Sequence, residues 1–289
     1  MAKTFVLYNP LSSLKKGKEK AENLIKKLES ESKEVVATDI TGIKDYPEFF
    51  KGVEKEDSII IVGGDGTLCR FANDIYDIDP PCDVFYFATG SGNDFMRDVA
   101  GNPEYDEPFK VNDFIKDLPT VTVNGKTYRF LNGIGFGIDG YCCEVGDKMR
   151  DEGKEKINYT SIAIKGLLFH YKRTNAVINV DGTEHQFKKV WLAPVMAGKY
   201  YGGGMNPCPG QKREDRKDHV SCCVMHSGGK IRTLLAFPNI FKGEHVKYTK
   251  MVNLFQGKNI KVTFEEPRAL QIDGETILGV TEYEVKIPE

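Results

Sequence analysis

The sequence lacks any apolar run long enough to cross a membrane, and its first nine residues are too short and too polar at their ends for a signal peptide. It also lacks an excess of either charge, because the formal net charge over 289 residues is −2. Without a basic excess, the composition argues against nucleic acid as the main partner. With 40% apolar and 28% charged residues, it predicts a cytoplasmic globular protein whose length suits two domains.

The seven cysteines include no Cys-x-x-Cys pair of the kind found in structural zinc sites, and their odd number argues against a disulfide framework. Cys222 and Cys223 lie inside the apolar segment VSCCVM. We expect them to be small buried strand residues, because free cysteine behaves as a small apolar side chain. No redox role follows from this pattern.

The first part of the chain alternates short apolar segments with helix-like segments. Lys16–Glu29 has helical periodicity, and the predicted strands are residues 3–9, 34–38, 58–62 and 83–88. This alternation predicts an α/β fold in which a parallel sheet is wrapped by helices. Ligands of such sheets bind at the carboxyl ends of the strands. Three polar loops follow strands there, NPLSS, GGDGT and TGSGND, and we expect them to meet in one crevice.

The GGDGT loop has an unusual composition for a turn between a strand and a helix. Gly63, Gly64 and Gly66 remove every Cβ around the acid, so another molecule can approach the backbone closely. The N-terminus of the following helix favours an anion such as phosphate. Asp65 repels phosphate unless a divalent cation lies between them. The loop therefore fits a nucleotide and a metal, and an ordinary glycine-rich helix cap remains the alternative.

The pattern changes near Pro119 to β-rich segments joined by tight turns. The turn signals are Asn124–Gly125, Asp181–Gly182 and Asp273–Gly274. Helical signals interrupt them near Lys154–Tyr171 and Lys230–Phe241. We predict an α/β domain over residues 1–125, a mainly antiparallel β domain over residues 126–289, and a cleft between the two.

Six motifs, in order along the chain, carry a resemblance to a known family. They are NPLSS (Asn9–Ser13), GGDGT (Gly63–Thr67), GSGND (Gly90–Asp94), YYGGGM (Tyr200–Met205), FKGEH (Phe241–His245) and QIDGE (Gln271–Glu275). With them the chain resembles the bacterial lipid kinases that share the diacylglycerol kinase catalytic domain, in the NAD kinase/diacylglycerol kinase-like superfamily.

The resemblance implies an architecture and a reaction. It implies a nucleotide-binding α/β domain, a β-sandwich second domain whose last residues pack back on the first, and an active site in the cleft. It further implies ATP as substrate, Mg²⁺ as cofactor, and phosphorylation of a hydroxyl of diacylglycerol or a related lipid. The expected partner is a lipid at the inner membrane surface, and a homodimer is left open.

The resemblance also assigns roles to single residues. Those that would contact nucleotide are Asn9, Ser12, Thr38, Gly64, Asp65, Gly66, Thr67 and Ser91. Asp65 would bind metal as well, and Asp218 would be a ligand of an accessory metal site. Asp273 would be the general base, with Glu275 beside it as an assisting carboxylate.

Several positions depart from the family pattern. Ser13 stands where a glycine is usual, and Cys69 and Arg70 replace a common Asn-Glu pair. The second-domain metal motif is reduced to KDHV, in which Asp218 is the only acidic residue, so we expect the accessory metal site to be weak or absent.

Three alternatives stay open on the sequence. Asp273–Gly274 also fits a plain hairpin turn, since Asp-Gly is common in such turns. Ser161–Tyr171 fits either a segment that meets a membrane surface or a helix that faces the core. The whole chain also fits a catalytically weakened nucleotide- or lipid-binding homologue, or an NAD kinase, which shares GGDGT.

Overall fold

The computed structural model describes residues 2–10, 12, 16–154 and 157–288. Ser13 of the first loop and residues 155–156 of a predicted helical segment therefore lie outside the described residues. The chain divides into two compact units, Met1–Asp117 and Leu118–Glu289.

The first unit is built on a five-stranded sheet with strand order β2-β1-β3-β4-β5. The strands are β1 (Lys3–Tyr8), β2 (Glu34–Asp39), β3 (Ser58–Gly63), β4 (Asp83–Ala88) and β5 (Phe109–Lys110). The first four pair in parallel, and the two-residue β5 is antiparallel to β4. The helices are α1 (Lys16–Ser30), α2 (Tyr46–Phe50), α3 (Asp65–Asp74) and α4 (Asp94–Val99), with a 3₁₀ turn at Ile40–Gly42. The predicted parallel α/β sheet is confirmed.

Helix α1 covers the sheet through one apolar face. Leu24 and Leu28 lie four residues apart on α1, and both are buried against Val6, Ile60 and Val62 of the two central strands. Since each apolar contact removes surface from water, this packing fixes how α1 lies over the sheet. It also places the loop before α1 at the carboxyl end of β1.

The second unit is built on a ten-stranded antiparallel sheet. Its strands are β6 (Thr120–Val123), β7 (Lys126–Arg129), β8 (Gly133–Phe136), β9 (Thr174–Val180), β10 (Thr183–Leu192), β11 (Val195–Met196), β12 (Val220–His226), β13 (Val252–Gly257), β14 (Asn259–Ile272) and β15 (Glu275–Lys286). The order is β7-β6-β15-β14-β8-β11-β12-β10-β9, with β13 beside β12. Strand β14 also pairs with β9, so the sheet closes on itself around an apolar core. The predicted antiparallel second domain is confirmed.

Helices and short helical turns cover one side of this sheet. They are α5 (Ile138–Asp151), α6 (Tyr159–Lys165), a π-helix (Gly166–His170), α7 (Lys230–Ala236), and 3₁₀ segments at Arg213–Lys217, Phe237–Lys242 and Glu244–Lys247. The two predicted helical segments correspond to α6 with the π-helix and to α7 with the 3₁₀ segment after it. No helix among these described residues is long and apolar enough to cross a bilayer.

All three predicted tight turns form hairpins. Asn124, Asp181 and Asp273 have φ angles of 49°, 49° and 45°, and each is followed by a glycine that also has positive φ. This pair of left-handed residues is what a type I′ turn requires. The first hairpin, β6–β7, contains residue 125, and it pairs through β6 with β15 of the second unit.

Helix α5 has no counterpart in the sequence prediction. Its glycines Gly140 and Gly146 weaken the local helical signal, because glycine is a poor helix former. A Cβ on Gly140 would overlap the carbonyl oxygen of Ala269 in β14. A Cβ on Gly146 would lie 2.8 Å from the ring of Tyr159. Close packing against strand and helix therefore stabilises α5 where helix propensity does not.

The cysteines agree with the sequence interpretation. All seven are free thiols, and Cys222 and Cys223 are buried within β12. Burial raises the pKa of both thiols above the usual value, as it does for Cys208 nearby. These thiols are inert packing residues.

Candidate functional site

The three strand-end loops of the first unit meet at the carboxyl edge of its sheet. Asn9 of the first loop donates a hydrogen bond from Nδ2 to Thr67 Oγ1 of the GGDGT loop, at 3.2 Å. Ser12 Oγ donates to the Asn9 carbonyl oxygen at 2.9 Å and lies 3.5 Å from the hydroxyl of Thr89, which follows β4. Side chains that the sequence separates by 58 and 77 residues are thus in contact.

The two glycine-bearing loops pack backbone against backbone. A Cβ on Gly90 would lie 2.9 Å from the Cα of Gly64, closer than real Cβ atoms come, so the contact requires glycine. The Thr89 N–H donates to the Gly63 carbonyl oxygen at 2.8 Å and joins the same loops. A glycine-rich backbone beside a helix N-terminus is the form of a phosphate-binding cradle.

Asp65 has a structural partner that the sequence did not reveal. Its Oδ2 accepts the Asp94 N–H at 2.8 Å, and its Oδ1 accepts the Phe95 N–H at 3.2 Å. These N–H groups open α4, so the half-buried carboxylate caps that helix and complements its dipole. The carboxylate therefore stabilises the start of α4 in addition to belonging to the glycine-rich loop.

A cavity of about 650 Å³ lies beside the GSGND loop and α1. Its polar and aromatic lining includes Lys20, Lys27, Arg97, Phe87, Tyr105, Ser91, Asn93, Glu104 and Asp106. The cations attract phosphate, and the aromatic rings offer faces on which a base can stack. The Oδ1 atom of buried Asn93 has no hydrogen-bond partner among the described residues.

The remaining nucleotide candidates also lie in the first unit. Thr38 is half-buried near the carboxyl end of β2, opposite Leu7 of β1. Ser91 is exposed in the GSGND loop and lines the cavity. Gly64 and Gly66 flank Asp65 at the start of α3. All eight predicted nucleotide residues thus belong to one unit and to its carboxyl edge.

Asp273 is both a turn residue and an anchored carboxylate. Its Oδ1 accepts the N–H groups of Asn132 and Gly133 at 2.9 and 3.0 Å, and its Oδ2 accepts the Leu131 N–H at 2.5 Å. These hydrogen bonds hold the residues at the start of β8 against the turn between β14 and β15. About one of the four acceptor positions of the carboxylate remains for a substrate hydroxyl.

Arg213 holds the same segment, at Leu131 and Asn132, and no sequence motif pointed to this residue. It is 2% exposed, and its Nη1 donates to the Leu131 carbonyl oxygen at 2.7 Å. Its Nη2 donates to Asn132 Oδ1, also at 2.7 Å. Arg213 lies in the strongly polar run KREDRK, which gives no local sign of burial. Its burial depends on contacts that only the fold creates.

Asp139 is a second acid that the sequence interpretation missed. It is buried, and its Oδ2 accepts the hydroxyl of Tyr201 from the YYGGGM motif at 2.8 Å. Burial raises the pKa of this carboxyl to about 6, against opposing hydrogen bonds from Tyr201 and Gly140. A Cβ on Gly135 would lie 2.5 Å from Asp139 Oδ2 and 2.7 Å from Nε2 of Gln271, so only glycine fits between them.

Gln271, whose Nε2 lies next to Gly135, also contacts the predicted catalytic turn. Its Oε1 accepts the Gly274 N–H at 2.7 Å, one residue after Asp273. Asp139, which accepts the Tyr201 hydroxyl of YYGGGM, and Gln271 of QIDGE therefore both lie next to Gly135 of β8.

The other residues predicted to act in catalysis or metal binding are exposed. Glu275 is exposed at the first position of β15. Asp218 is exposed just after the 3₁₀ segment Arg213–Lys217. Among the described residues, no group of three or more His, Cys, Asp or Glu side chains is arranged to hold a metal ion. Asp65 and Asp218, the two predicted ligands, belong to different units.

Family models match both units. Residues 3–120 match the diacylglycerol kinase catalytic domain, and residues 132–287 match the YegS C-terminal NAD kinase beta sandwich-like domain. The second match alone spans more than half of the chain.

Two named relatives and one solved structure are similar to the chain over most of its length. The chain is 23% identical over 284 residues to a diacylglycerol kinase of Bacillus subtilis, covering 95% of this chain and 90% of that one. It is 26% identical over 214 residues to a diacylglycerol kinase of Mycobacterium tuberculosis, covering 71% and 66% of the two chains. A crystal structure of a diacylglycerol kinase from Bacillus anthracis superposes with a TM-score of 0.66 at 22% identity, covering 99% and 94%. At that identity the superposition establishes the fold.

Proposed function

Because the chain belongs to the lipid kinase family defined by the diacylglycerol kinase catalytic domain and the YegS C-terminal domain, we propose that it transfers phosphate from ATP to a hydroxyl of diacylglycerol or a related lipid. The single observation that carries the proposal is the meeting of Asn9, Thr67, Thr89 and the two glycine loops at one edge of the first sheet.

The first unit fits an adenine nucleotide. The contact between Gly64 and Gly90 brings two glycine-rich backbones together at the start of α3, and Lys20 lines the cavity beside them.

The residues also fit Mg²⁺ bound together with ATP. Protein sites for Mg²⁺ commonly use one or two carboxylates plus substrate phosphates, so a three-acid cluster is not required. Asp65 would hold the ion, because it is the acidic residue of the glycine-rich loop at the edge where the three strand-end loops meet. The ion would neutralise phosphate charge in the transition state.

The second unit would supply the base. In the proposed reaction the lipid hydroxyl oxygen forms a bond to the γ-phosphorus, and the bond from that phosphorus to the β-phosphate oxygen breaks to release ADP. The hydroxyl proton passes to the carboxylate of Asp273. The three backbone N–H groups that hold this carboxylate fix its orientation, which general-base catalysis requires. Glu275, two residues on, would assist as a second carboxylate.

Release of ADP by the purified protein tests the proposal. With Mg²⁺ and ATP, we expect ADP to appear when diacylglycerol vesicles are present and not with NAD or with vesicles of phosphatidylcholine alone. ADP release that depends on NAD would identify an NAD kinase. Tight ATP binding without any lipid-dependent release would identify a catalytically weakened homologue.

A further inference from the structure

A short bend joins β7 to β8 and carries the donors that hold Asp273. Leu131 and Asn132 lie between Arg129, where β7 ends, and Gly133, where β8 begins, and both are buried. Three successive N–H groups, from Leu131, Asn132 and Gly133, converge on the carboxylate of Asp273. Because residues 131 and 132 belong to neither strand, the orientation of this carboxylate depends on what else holds the bend in place.

The guanidinium of Arg213 holds the bend at two neighbouring acceptors. It donates from Nη1 to the Leu131 carbonyl oxygen and from Nη2 to Asn132 Oδ1, both at 2.7 Å, and the whole side chain is buried. A buried guanidinium is costly unless its N–H groups are bonded. Its planar fork can bridge two adjacent acceptors, whereas the ammonium of a lysine acts as a single point charge. Arg213 therefore fixes a backbone carbonyl and a side chain of the bend together.

One peptide group lies between Arg213 and Asp273. The carbonyl of Leu131 and the N–H of Asn132 belong to the same peptide group, which accepts from Arg213 at 2.7 Å and donates to Asp273 Oδ1 at 2.9 Å. A trans peptide group directs its C=O and its N–H to opposite sides. The cation and the carboxylate thus lie at the two favourable ends of one dipole. Hydrogen bonds in such a chain polarise and strengthen one another, most of all where water is excluded.

The segment that carries Arg213 is itself anchored by buried polar side chains. Gln211 Oε1 accepts the hydroxyl of Ser221 in β12 at 2.5 Å, and Gln211 Nε2 donates to the Lys212 carbonyl oxygen at 2.9 Å. Buried Arg216 donates from Nη1 to the Arg213 carbonyl oxygen at 3.0 Å. A side chain that starts from a fixed backbone holds its partners more precisely than one on a free loop. Arg213 is therefore placed to orient the bend.

We propose that Arg213 is a positioning residue for phosphoryl transfer, which orients the carboxylate of Asp273 through the peptide group between Leu131 and Asn132. This rests on the proposed function, in which that carboxylate accepts the proton of the lipid hydroxyl. A general base must lie within hydrogen-bond reach of the proton that it takes. A displacement of about 1 Å can reduce a rate about 10²-fold. Loss of Arg213 therefore misplaces the base without removing it.

Transfer of labelled γ-phosphate to diacylglycerol by Arg213→Gln tests this role. Glutamine has no charge and no fork, so kcat should fall about 10- to 100-fold. The KM for ATP should not change, because the predicted nucleotide residues belong to the other unit. Arg213→Lys keeps the charge without the fork and should have an intermediate kcat.

The same substitution in an Asp273→Asn background separates positioning from general support of the fold. A residue that acts through the Asp273 carboxylate has nothing left to orient there, so Arg213→Gln should change the residual turnover less than about twofold. Independent, additive losses of turnover would overturn the proposal. A wild type that transfers no phosphate to lipid would instead overturn the proposed function.

Denaturant unfolding gives a second measurement that does not depend on turnover. The unfolding equilibrium constant of Arg213→Gln, Asp273→Asn should differ at least about fivefold from the value expected if the two single effects were independent. Asp181→Asn is the matched control, because its carboxylate accepts the N–H groups of Lys258 and Asn259 instead. Combined with Arg213→Gln, it should be additive to within about twofold. Additivity of the Arg213 and Asp273 substitutions as well would overturn the proposal.

Asn132→Ala replaces Arg213→Gln if that variant does not fold. It removes the Oδ1 acceptor of Arg213 and keeps the backbone N–H that Asp273 accepts. We expect a smaller fall in kcat, about three- to tenfold, which disappears in the Asp273→Asn background. A wild-type kcat in Asn132→Ala, or an equal fall in both backgrounds, would overturn the proposal.

Discussion

The carboxylate of Asp65 accepts the backbone N–H of Asp94 at 2.8 Å and so joins the GGDGT loop to the helix that follows GSGND. The residue that the sequence assigns to metal and phosphate therefore also holds two loops together. Substitutions at this position combine a stability effect with a ligand effect, and the two must be measured separately.

Two substitutions of Asp65 separate these effects. Asp65→Ala removes the cap of α4 and should lower the free energy of unfolding by about 1–2 kcal/mol. Asp65→Asn keeps one oxygen that can accept an N–H and should lose less stability, but it loses the negative charge that a cation requires. We expect both variants to lose Mg²⁺-dependent ATP affinity in equilibrium titration. Unchanged ATP affinity in Asp65→Asn would remove this residue from the metal site.

Asp273→Asn tests the proposed base. The amide nitrogen cannot accept an N–H, so at least one of the three bonds to residues 131–133 is lost, and unfolding free energy should fall by about 1–3 kcal/mol. Turnover should fall about 10²–10⁴-fold if the carboxylate takes the hydroxyl proton. ATP affinity should change little, because Asp273 and the nucleotide residues belong to different units.

Asp181→Asn is the matched control for that variant. Asp181 occupies the same turn position with φ of 49°, and its carboxylate also accepts backbone N–H groups, those of Lys258 and Asn259. Its substitution should lower stability in a similar way and leave turnover unchanged. If both variants lose turnover equally, the effect of Asp273→Asn is structural.

The comparison of these two turns shows what could and what could not be predicted from the sequence. Asp181–Gly182 and Asp273–Gly274 look alike locally, and both hairpins could be predicted because the turn chemistry lies in two adjacent residues. The hydrogen-bond partners of the two carboxylates could not be predicted, because they lie 77 to 142 residues away in the sequence. Arg213 and Asp139 were missed for the same reason: burial and distant contacts give them their roles.

Other features were predictable because a local pattern determines them. The parallel strands follow from continuous apolar runs such as Ile59–Val62, and the carboxyl-end rule then places the three loops at one edge. Helix α5 was not predictable, because its glycines oppose helix formation and its stability comes from packing on β14. Long-range packing, not local preference, decides such elements.

Asp139 should make stability depend on pH. Its carboxyl ionises near pH 3.8 in an unfolded chain and near pH 6 in the fold, because burial raises the pKa. Below about pH 4 the group is neutral in both states. As the pH rises through 6, the folded state must ionise a buried carboxyl group. The stability that the neutral carboxyl group contributes is then lost, by up to about 3 kcal/mol. Denaturant unfolding from pH 4 to 7 measures this.

The variant Asp139→Asn provides the control for that pH profile. Asparagine keeps an oxygen for the Tyr201 hydroxyl and cannot ionise, so the fall in stability between pH 4 and 6 should become shallower than in the wild type. An identical slope in both proteins would assign the pH dependence to another group.

Asp218→Asn should have little effect. Asp218 is exposed after a 3₁₀ segment, and exposed surface substitutions usually change unfolding free energy by less than about 0.5 kcal/mol. Metal analysis of the purified protein and its activity should also remain near wild type. A large loss of bound Mg²⁺ in this variant would show that Asp218 is a genuine metal ligand and that the degenerate KDHV motif still works.

The most direct measurement follows the γ-phosphate itself. Wild-type protein, Mg²⁺, ATP labelled at the γ-phosphate and diacylglycerol vesicles are incubated together, and the lipid is then extracted into organic solvent. The account predicts that label moves into the extracted lipid as a phosphate monoester, and that Asp273→Asn reduces this transfer about 10²–10⁴-fold while Asp181→Asn does not. Label that stays in ATP, or that appears only as inorganic phosphate or on NAD, would contradict it.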